Sequence, residues 1–257
     1  MLKDMDILGP EGQVDERGSS KLREVAGFSE VILRYVRKWL GGKEKISVLE
    51  CSCGKSYLGF ALAELLDHFE NTRVELWGVD SNPDLITRCR DLSEQLALTD
   101  VHFVSSRTVQ FDPDRSFDLV IALHACDTAT DEAIAKGIQL GCQLILTVPC
   151  CQNQIRGQIK SGHPLTAMTD FGPVRYRLAN LLTDTLRAQF LRSAGYHVEL
   201  DEISSPKLTP KNLCICGRKV KRRSRTPRDR EYRQLRDMFD VKPAIEKLLP
   251  EIIDDFE

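Results

Sequence analysis

Apolar positions along the chain fall into two patterns, a helical repeat of about 3.6 residues and short unbroken runs, and their alternation predicts an architecture. From Lys21 to Leu40, residues Leu22, Val25, Phe28, Val31, Ile32, Tyr35, Val36 and Trp39 share one helical face, and Gly41-Gly42 follows as a stop. This predicts an amphipathic helix ahead of the core. Runs at 46–50, 74–80, 101–105, 117–123 and 143–148 read as strands, separated by helical patterns at about 57–69, 84–96 and 130–139. Short apolar strands alternating with helices predict a parallel sheet covered on both faces. The rhythm breaks after a long helix at about 174–193. There YHVELDEI and NLCICGRKV are joined only by SSPKLTP, too short for a crossover, so the pair must be a hairpin with one strand antiparallel.

The pattern divides the chain into an N-terminal segment and helix (1–43), a core (44–220) and a tail (221–257). In the tail, a basic linker precedes an acidic stretch whose Leu248, Leu249, Ile252, Ile253 and Phe256 predict a helical stripe. With 257 residues, 42% hydrophobic, the chain can bury one sizeable core. The net charge of -2 gives no overall mark of a polyanion-binding protein, so any such signal must be local. The start lacks an apolar segment and no run could span a bilayer, which predicts a cytoplasmic protein without membrane contact. The 9 cysteines are odd in number and sit within apolar runs, so reduced thiols are expected rather than a disulfide framework.

The turn after the first strand, Glu50-Cys51-Ser52-Cys53-Gly54-Lys55-Ser56-Tyr57, brings small residues to the start of a helix, where backbone N–H groups are open to a ligand. A P-loop would need glycine where Leu49 stands. A dinucleotide fingerprint fails because Ser52 and Tyr57 occupy the outer glycine positions. What the turn resembles is an S-adenosylmethionine (SAM) motif, an acid at the strand end followed by alternating small residues, with Ser52 and Ser56 in place of glycines. Asp80 ends the second strand, where a carboxylate can accept both ribose hydroxyl hydrogens. The expected cofactor site is Glu50, Cys51, Ser52, Gly54, Tyr57, Asp80 and Ser81, with Ser106 and Arg107 near adenine and Leu123 and His124 at the fourth strand end.

Further motifs are LHACDTATDEAI from Leu123, VPCCQ at 148–152, LTDTLRAQFLRSAGY at 182–196 and TPKN at 209–212, with CGKSYLGFAL at 53–62 and KLREV at 21–25. Over residues 20 to 218 the chain resembles the methyltransferase-domain family with HACD-type and PCC motifs. More distantly it is similar to tRNA ribose 2'-O-methyltransferases. The resemblance implies an α/β, Rossmann-like class I methyltransferase fold: a mostly parallel seven-stranded sheet ending in an antiparallel hairpin, helices on both faces. It also implies SAM as cofactor and leaves the methyl acceptor open, RNA (tRNA or rRNA) being the expected substrate. A protein or small-molecule acceptor is the alternative, as is an inactive RNA-binding scaffold, which the two serines would suit.

Ligands of open α/β sheets bind at the carboxyl ends of the strands, so His124 and Cys150 are the catalytic candidates. His124 could serve as base toward a hydroxyl acceptor, or merely cap its strand against Asp127. Cys150 could attack C6 of a pyrimidine, or merely pack. A zinc set of His124, Cys126, Cys150 and Cys151 departs from the usual CxxC spacing, so no metal is expected. Cys151, Lys211 and Asn212 are expected to face substrate, beside Thr209 and Pro210. The segment 152–172 could form a lid in which Arg156, Lys160 and His163 suit an anion. Lys219, Lys221, Arg222, Arg223, Arg225, Arg228 and Arg230 form a local basic run that predicts RNA contact, or else a linker balanced by the acidic tail.

Overall fold

A computed structural model describes residues 16–160, 162–205, 211–220 and 227–254. Seven strands form one sheet: β1 (Lys45–Cys51), β2 (Arg73–Asp80), β3 (Val101–Ser105), β4 (Leu119–Leu123), β5 (Leu144–Val148), β6 (Tyr196–Glu202) and β7 (Leu213–Lys219). Their order is β3-β2-β1-β4-β5-β7-β6, with β7 antiparallel to both neighbours and the other paired strands parallel. The hairpin and its antiparallel strand are as the short connection requires. Because β1 continues to β2 on one side and pairs with β4 on the other, the strand order reverses between them, and their carboxyl ends are where open α/β sheets bind ligands.

Alternation along each strand divides the interior into two cores. Ile46 and Val48 of β1, Leu119 and Ile121 of β4, and Leu144 and Leu146 of β5 pack under α1 (Glu16–Trp39), α2 (Tyr57–Glu70) and α3 (Pro83–Gln95). Leu49, Val120 and Ile145 point the other way, toward α4 (Thr128–Gln139) and α7 (Gly172–Ser193); the short helices α5 (Asn153–Arg156) and α6 (Thr166–Thr169) precede α7 in the chain and pack on it. Helix α1 begins at Glu16, ahead of the apolar stripe that starts at Leu22, since a formed helix extends through polar residues without needing a buried face. Trp39 leaves the expected stripe: it is part-exposed and the Arg218 guanidinium lies 3.9 Å from its ring centre, while Leu40 is buried.

The tail set apart by composition is not apart in space. Helices α8 (Pro227–Met238), α9 (Ala244–Leu248) and α10 (Pro250–Asp254) return to the second core, where Tyr232, Ile245 and Leu249 are buried. The single predicted stripe is two short helices because Pro250 disfavours helical backbone at Leu249. Tyr232 donates to Glu246 at 2.7 Å, tying α8 to α9.

Candidate active site

The turn between β1 and α2 keeps a glycine-type backbone although serines fill it. Ser52, Gly54 and Ser56 have φ of 52, 56 and 51, the left-handed region that L-residues enter only at a cost. The local compensation is Glu50, 3% exposed, which accepts from the Ser56 hydroxyl and the Gly59 amide at the start of α2. Burial drives its carboxyl up to about 7, and those two hydrogen bonds with the nearby Lys21 only partly oppose the rise. Glu50 is therefore turned into the helix N-terminus as a structural acid. A side chain on Gly54 would meet nothing within 4 Å, so a ligand can lie directly against this backbone. The Cys51 side chain, by contrast, is fully buried in the second core, leaving only its backbone for a cofactor.

Asp80 closes the other side of the turn. Its Oδ2 accepts from the Gly54 amide at 2.9 Å and its Oδ1 from the Asn82 amide at 2.9 Å, so the carboxylate is fixed with lone pairs to spare. Ser81 is exposed beside it, and the Ser106 amide bonds the Asp80 carbonyl at 2.9 Å. Arg107 reaches Glu132 of α4 at 2.6 Å, and Tyr57 carries the Lys21 ammonium 5.4 Å from its ring centre. An open backbone, an ordered strand-end carboxylate and a half-buried aromatic next to one another fit a nucleoside-bearing cofactor such as SAM.

At the neighbouring strand end His124 has φ 57, and its Nε2 lies 3.1 Å from Glu24 of α1 rather than near Asp127. Burial lowers its pKa despite the Glu24 charge, and Lys21 and Lys211 add smaller effects in the same downward direction. With Nε2–H donated to Glu24, Nδ1 holds the lone pair; it is buried without a hydrogen-bond partner. Leu123 packs on the first core just before it. Glu24 and Lys21 went unpredicted because they look like ordinary charges on the polar face of an amphipathic helix.

Cys126, Cys150 and Cys151 converge beside this histidine. Their sulfurs are 3.4 Å (Cys126 to Cys150), 3.6 Å (Cys150 to Cys151) and 4.0 Å (Cys151 to Cys126) apart. Sequence spacing concealed this grouping, since β4 and β5 are neighbours and their end loops touch although 24 residues separate them. The His124 ring lies outside the group of mutually close ligand atoms. Burial and the two adjacent thiols push the Cys150 pKa up, and no base is among its hydrogen-bond partners. That environment opposes the thiolate which the pyrimidine-attacking role would require.

A buried ionic network underlies both loops. Arg187, 2% exposed, bonds Asp131 at 2.6 and 3.2 Å, Asp184 at 3.2 Å and the Asp127 carbonyl at 2.7 Å. Gln152 donates to Asp184, and Asp127 accepts from the Gln154 amide at 3.0 Å, linking the two loops through α7.

A family model described as a methyltransferase domain matches residues 20–158, just over half of the chain. The chain belongs to this methyltransferase family. Among curated relatives, a glutathione S-transferase C-terminal domain-containing protein of Mus musculus is 30% identical over 195 residues, and its Homo sapiens counterpart is 24% identical. The alignments cover 66% of this chain and 29% of each relative, so the chain spans under a third of the curated relatives' length. Among solved structures, magnesium protoporphyrin IX methyltransferase of Synechocystis with bound SAH superposes with a TM-score of 0.53 at 15% identity, covering 84% of this chain and 92% of that one. The CMeT domain of citrinin polyketide synthase gives 0.50 at 14% identity, covering 81% and 57%. Family and fold together give the chain a methyltransferase domain with the Rossmann-like class I architecture.

Several expected substrate contacts of the methyltransferase are otherwise engaged. Asn212 is buried and donates to the Ser204 carbonyl at 2.6 Å, closing the β6–β7 connection. Lys211, expected to face substrate, is close enough to His124 to act on it electrostatically. The segment expected as a lid, 152–172, packs against the tail and α7: Gln154 and Gln158 donate to the Lys242 carbonyl, the His163 ring lies tilted with its centre 4.8 Å from that of Phe239, and Arg156 lies over Tyr176 of α7. Thr209, Pro210, Arg222, Arg223 and Arg225 lie outside the described residues, as does Lys221. No helix among the described residues is long and apolar enough to cross a membrane.

Proposed function

We propose that the chain is a cytosolic RNA methyltransferase acting on tRNA or rRNA. The observation that carries this reading is the presence of two lysines near the fourth strand end, where Lys21 and Lys211 both act electrostatically on His124 alongside the nearer Glu24 carboxylate. A polyanion brought there would have its phosphates met by one lysine from the N-terminal helix and one from the β6–β7 connection, and the basic run from Lys219 to Arg230 extends the positive charge along the chain.

SAM supplies an electrophilic methyl group on a sulfonium. Asp80 would hold the ribose hydroxyls and Gly54 would allow close approach, with Ser81, Ser106, Arg107 and Tyr57 around the nucleoside. Nδ1 of His124 would take the proton of an acceptor hydroxyl placed at the fourth strand end. Glu24 orients the imidazole and compensates the charge it gains.

The test is a transfer assay with methyl-labelled SAM against fractionated cellular RNA, protein and metabolites. Label in the RNA fraction, reduced at least tenfold in His124→Ala, supports the reading; label confined to protein or metabolites overturns it.

A further inference from the structure

The three thiols beside His124 form an arrangement that methyl transfer does not use. They come from two loops, one after β4 and one after β5, so their meeting is a tertiary feature of the fold rather than an accident of neighbouring residues. A tetrahedral zinc–thiolate centre has bonds of about 2.3 Å, which places its sulfurs about 3.8 Å apart. The observed separations of 3.4, 3.6 and 4.0 Å bracket that spacing. They define a triangle with a circumradius of about 2.1 Å, so an ion bonded equally to all three sulfurs would stand about 0.9 Å above their plane, against about 0.8 Å in a regular tetrahedron. Little rearrangement of the side chains would be needed.

Access and support are also present. Cys150 is buried, Cys151 is half-buried and Cys126 is exposed, so the group has an inner anchor and an open side for entry. The loops are held from below. Asp127, with φ 52, fixes the Gln154 amide with its carboxylate and is gripped through its carbonyl by Arg187; the Thr130 hydroxyl bonds the Ala125 carbonyl at 2.5 Å. Outer hydrogen bonds of this kind hold metal ligands in place.

We propose that Cys126, Cys150 and Cys151 form a three-thiolate site for a thiophilic divalent cation, zinc in the first instance, with its fourth position open at the carboxyl edge of the sheet. Binding displaces the thiol protons to solvent as the metal–sulfur bonds form, so affinity rises with pH. The site stands independently of the RNA reading and of catalysis.

Reduced, chelator-stripped full-length protein is titrated with Co2+ as a spectroscopic probe and then with Zn2+. The expected result is one equivalent of Co2+ showing a thiolate-to-metal charge-transfer band and the intense visible bands of tetrahedral sulfur coordination, both removed by one equivalent of Zn2+. Cys126→Ser, at an exposed position that should leave the fold intact by circular dichroism, should lower the affinity at least tenfold, and Cys150→Ser should abolish the charge-transfer band. Cys214→Ser is the control, since Cys214 and Cys216 form a separate buried thiol pair 3.3 Å apart. Absence of the charge-transfer band at a tenfold excess of Co2+, a band unchanged in Cys126→Ser, or one lost in Cys214→Ser with the fold intact overturns the proposal.

Discussion

Replacing Glu50 with Gln removes an acid that the fold holds at an unfavourable ionisation. Its carboxyl is buried and displaced from 4.5 to about 7. An acid with its folded value above its unfolded one stabilises the native state fully only below the unfolded value, and this contribution is lost as pH rises through the folded one. At roughly 1.4 kcal/mol per pH unit, wild-type protein should lose roughly 2.5 kcal/mol between pH 5 and pH 8 from this group alone. Glutamine stays neutral throughout. Whatever constant penalty the amide incurs facing Ser56 and Gly59 cancels in the comparison, so stability of Glu50→Gln relative to wild type should rise by roughly 2.5 kcal/mol over that interval. Urea unfolding followed by circular dichroism at pH 5, 6.5 and 8 measures it. A difference between the two proteins that stays flat within roughly 0.5 kcal/mol would refute the argument that Glu50 is a desolvated structural acid.

Other consequences follow from the same packing. Arg187→Ala leaves Asp131 and Asp184 buried without their cation and should cost about 3–5 kcal/mol in urea unfolding; a loss under 1 kcal/mol would mean the network contributes little. Gly59→Ala places a methyl group 2.5 Å from the Glu50 carboxylate and 2.6 Å from Leu76, and should lower stability by about 1–3 kcal/mol, visible as a reduced Tm. Gly27→Ala drives a methyl group into the Ile203 carbonyl and should loosen α1, read as faster hydrogen exchange in residues 20–30; unchanged exchange would contradict the close approach. Glu24→Gln should reduce transfer to a hydroxyl acceptor while leaving SAM affinity within twofold, because Glu24 acts through His124; an equal loss in SAM affinity would place it in the cofactor site instead.

The sheet was legible because its strands are short apolar runs bounded by turn residues, and the antiparallel hairpin followed from the length of SSPKLTP. Asp80 was legible for a local reason as well, since it ends a strand. Interactions between distant segments left no such trace. Glu24 meets His124 across 100 residues, and Arg187 joins α7 to α4 across 56, without a spacing rule to announce either. Cys126 reaches Cys150 only because β4 and β5 pair, which the sequence order alone does not state. Composition misled in one place. The charged residues from about 221 read as an appendage, yet Tyr232, Ile245 and Leu249 are buried where the tail returns to the second core.

The central claim is that SAM lies between the turn after Glu50 and the strand end at Asp80. Isothermal titration of SAM into the folded protein, wild type and Asp80→Ala side by side, tests it most directly. The account predicts one site per wild-type chain and at least tenfold weaker binding in the variant, whose circular dichroism should match wild type. No binding by folded wild-type protein, or equal affinity in Asp80→Ala, would contradict it.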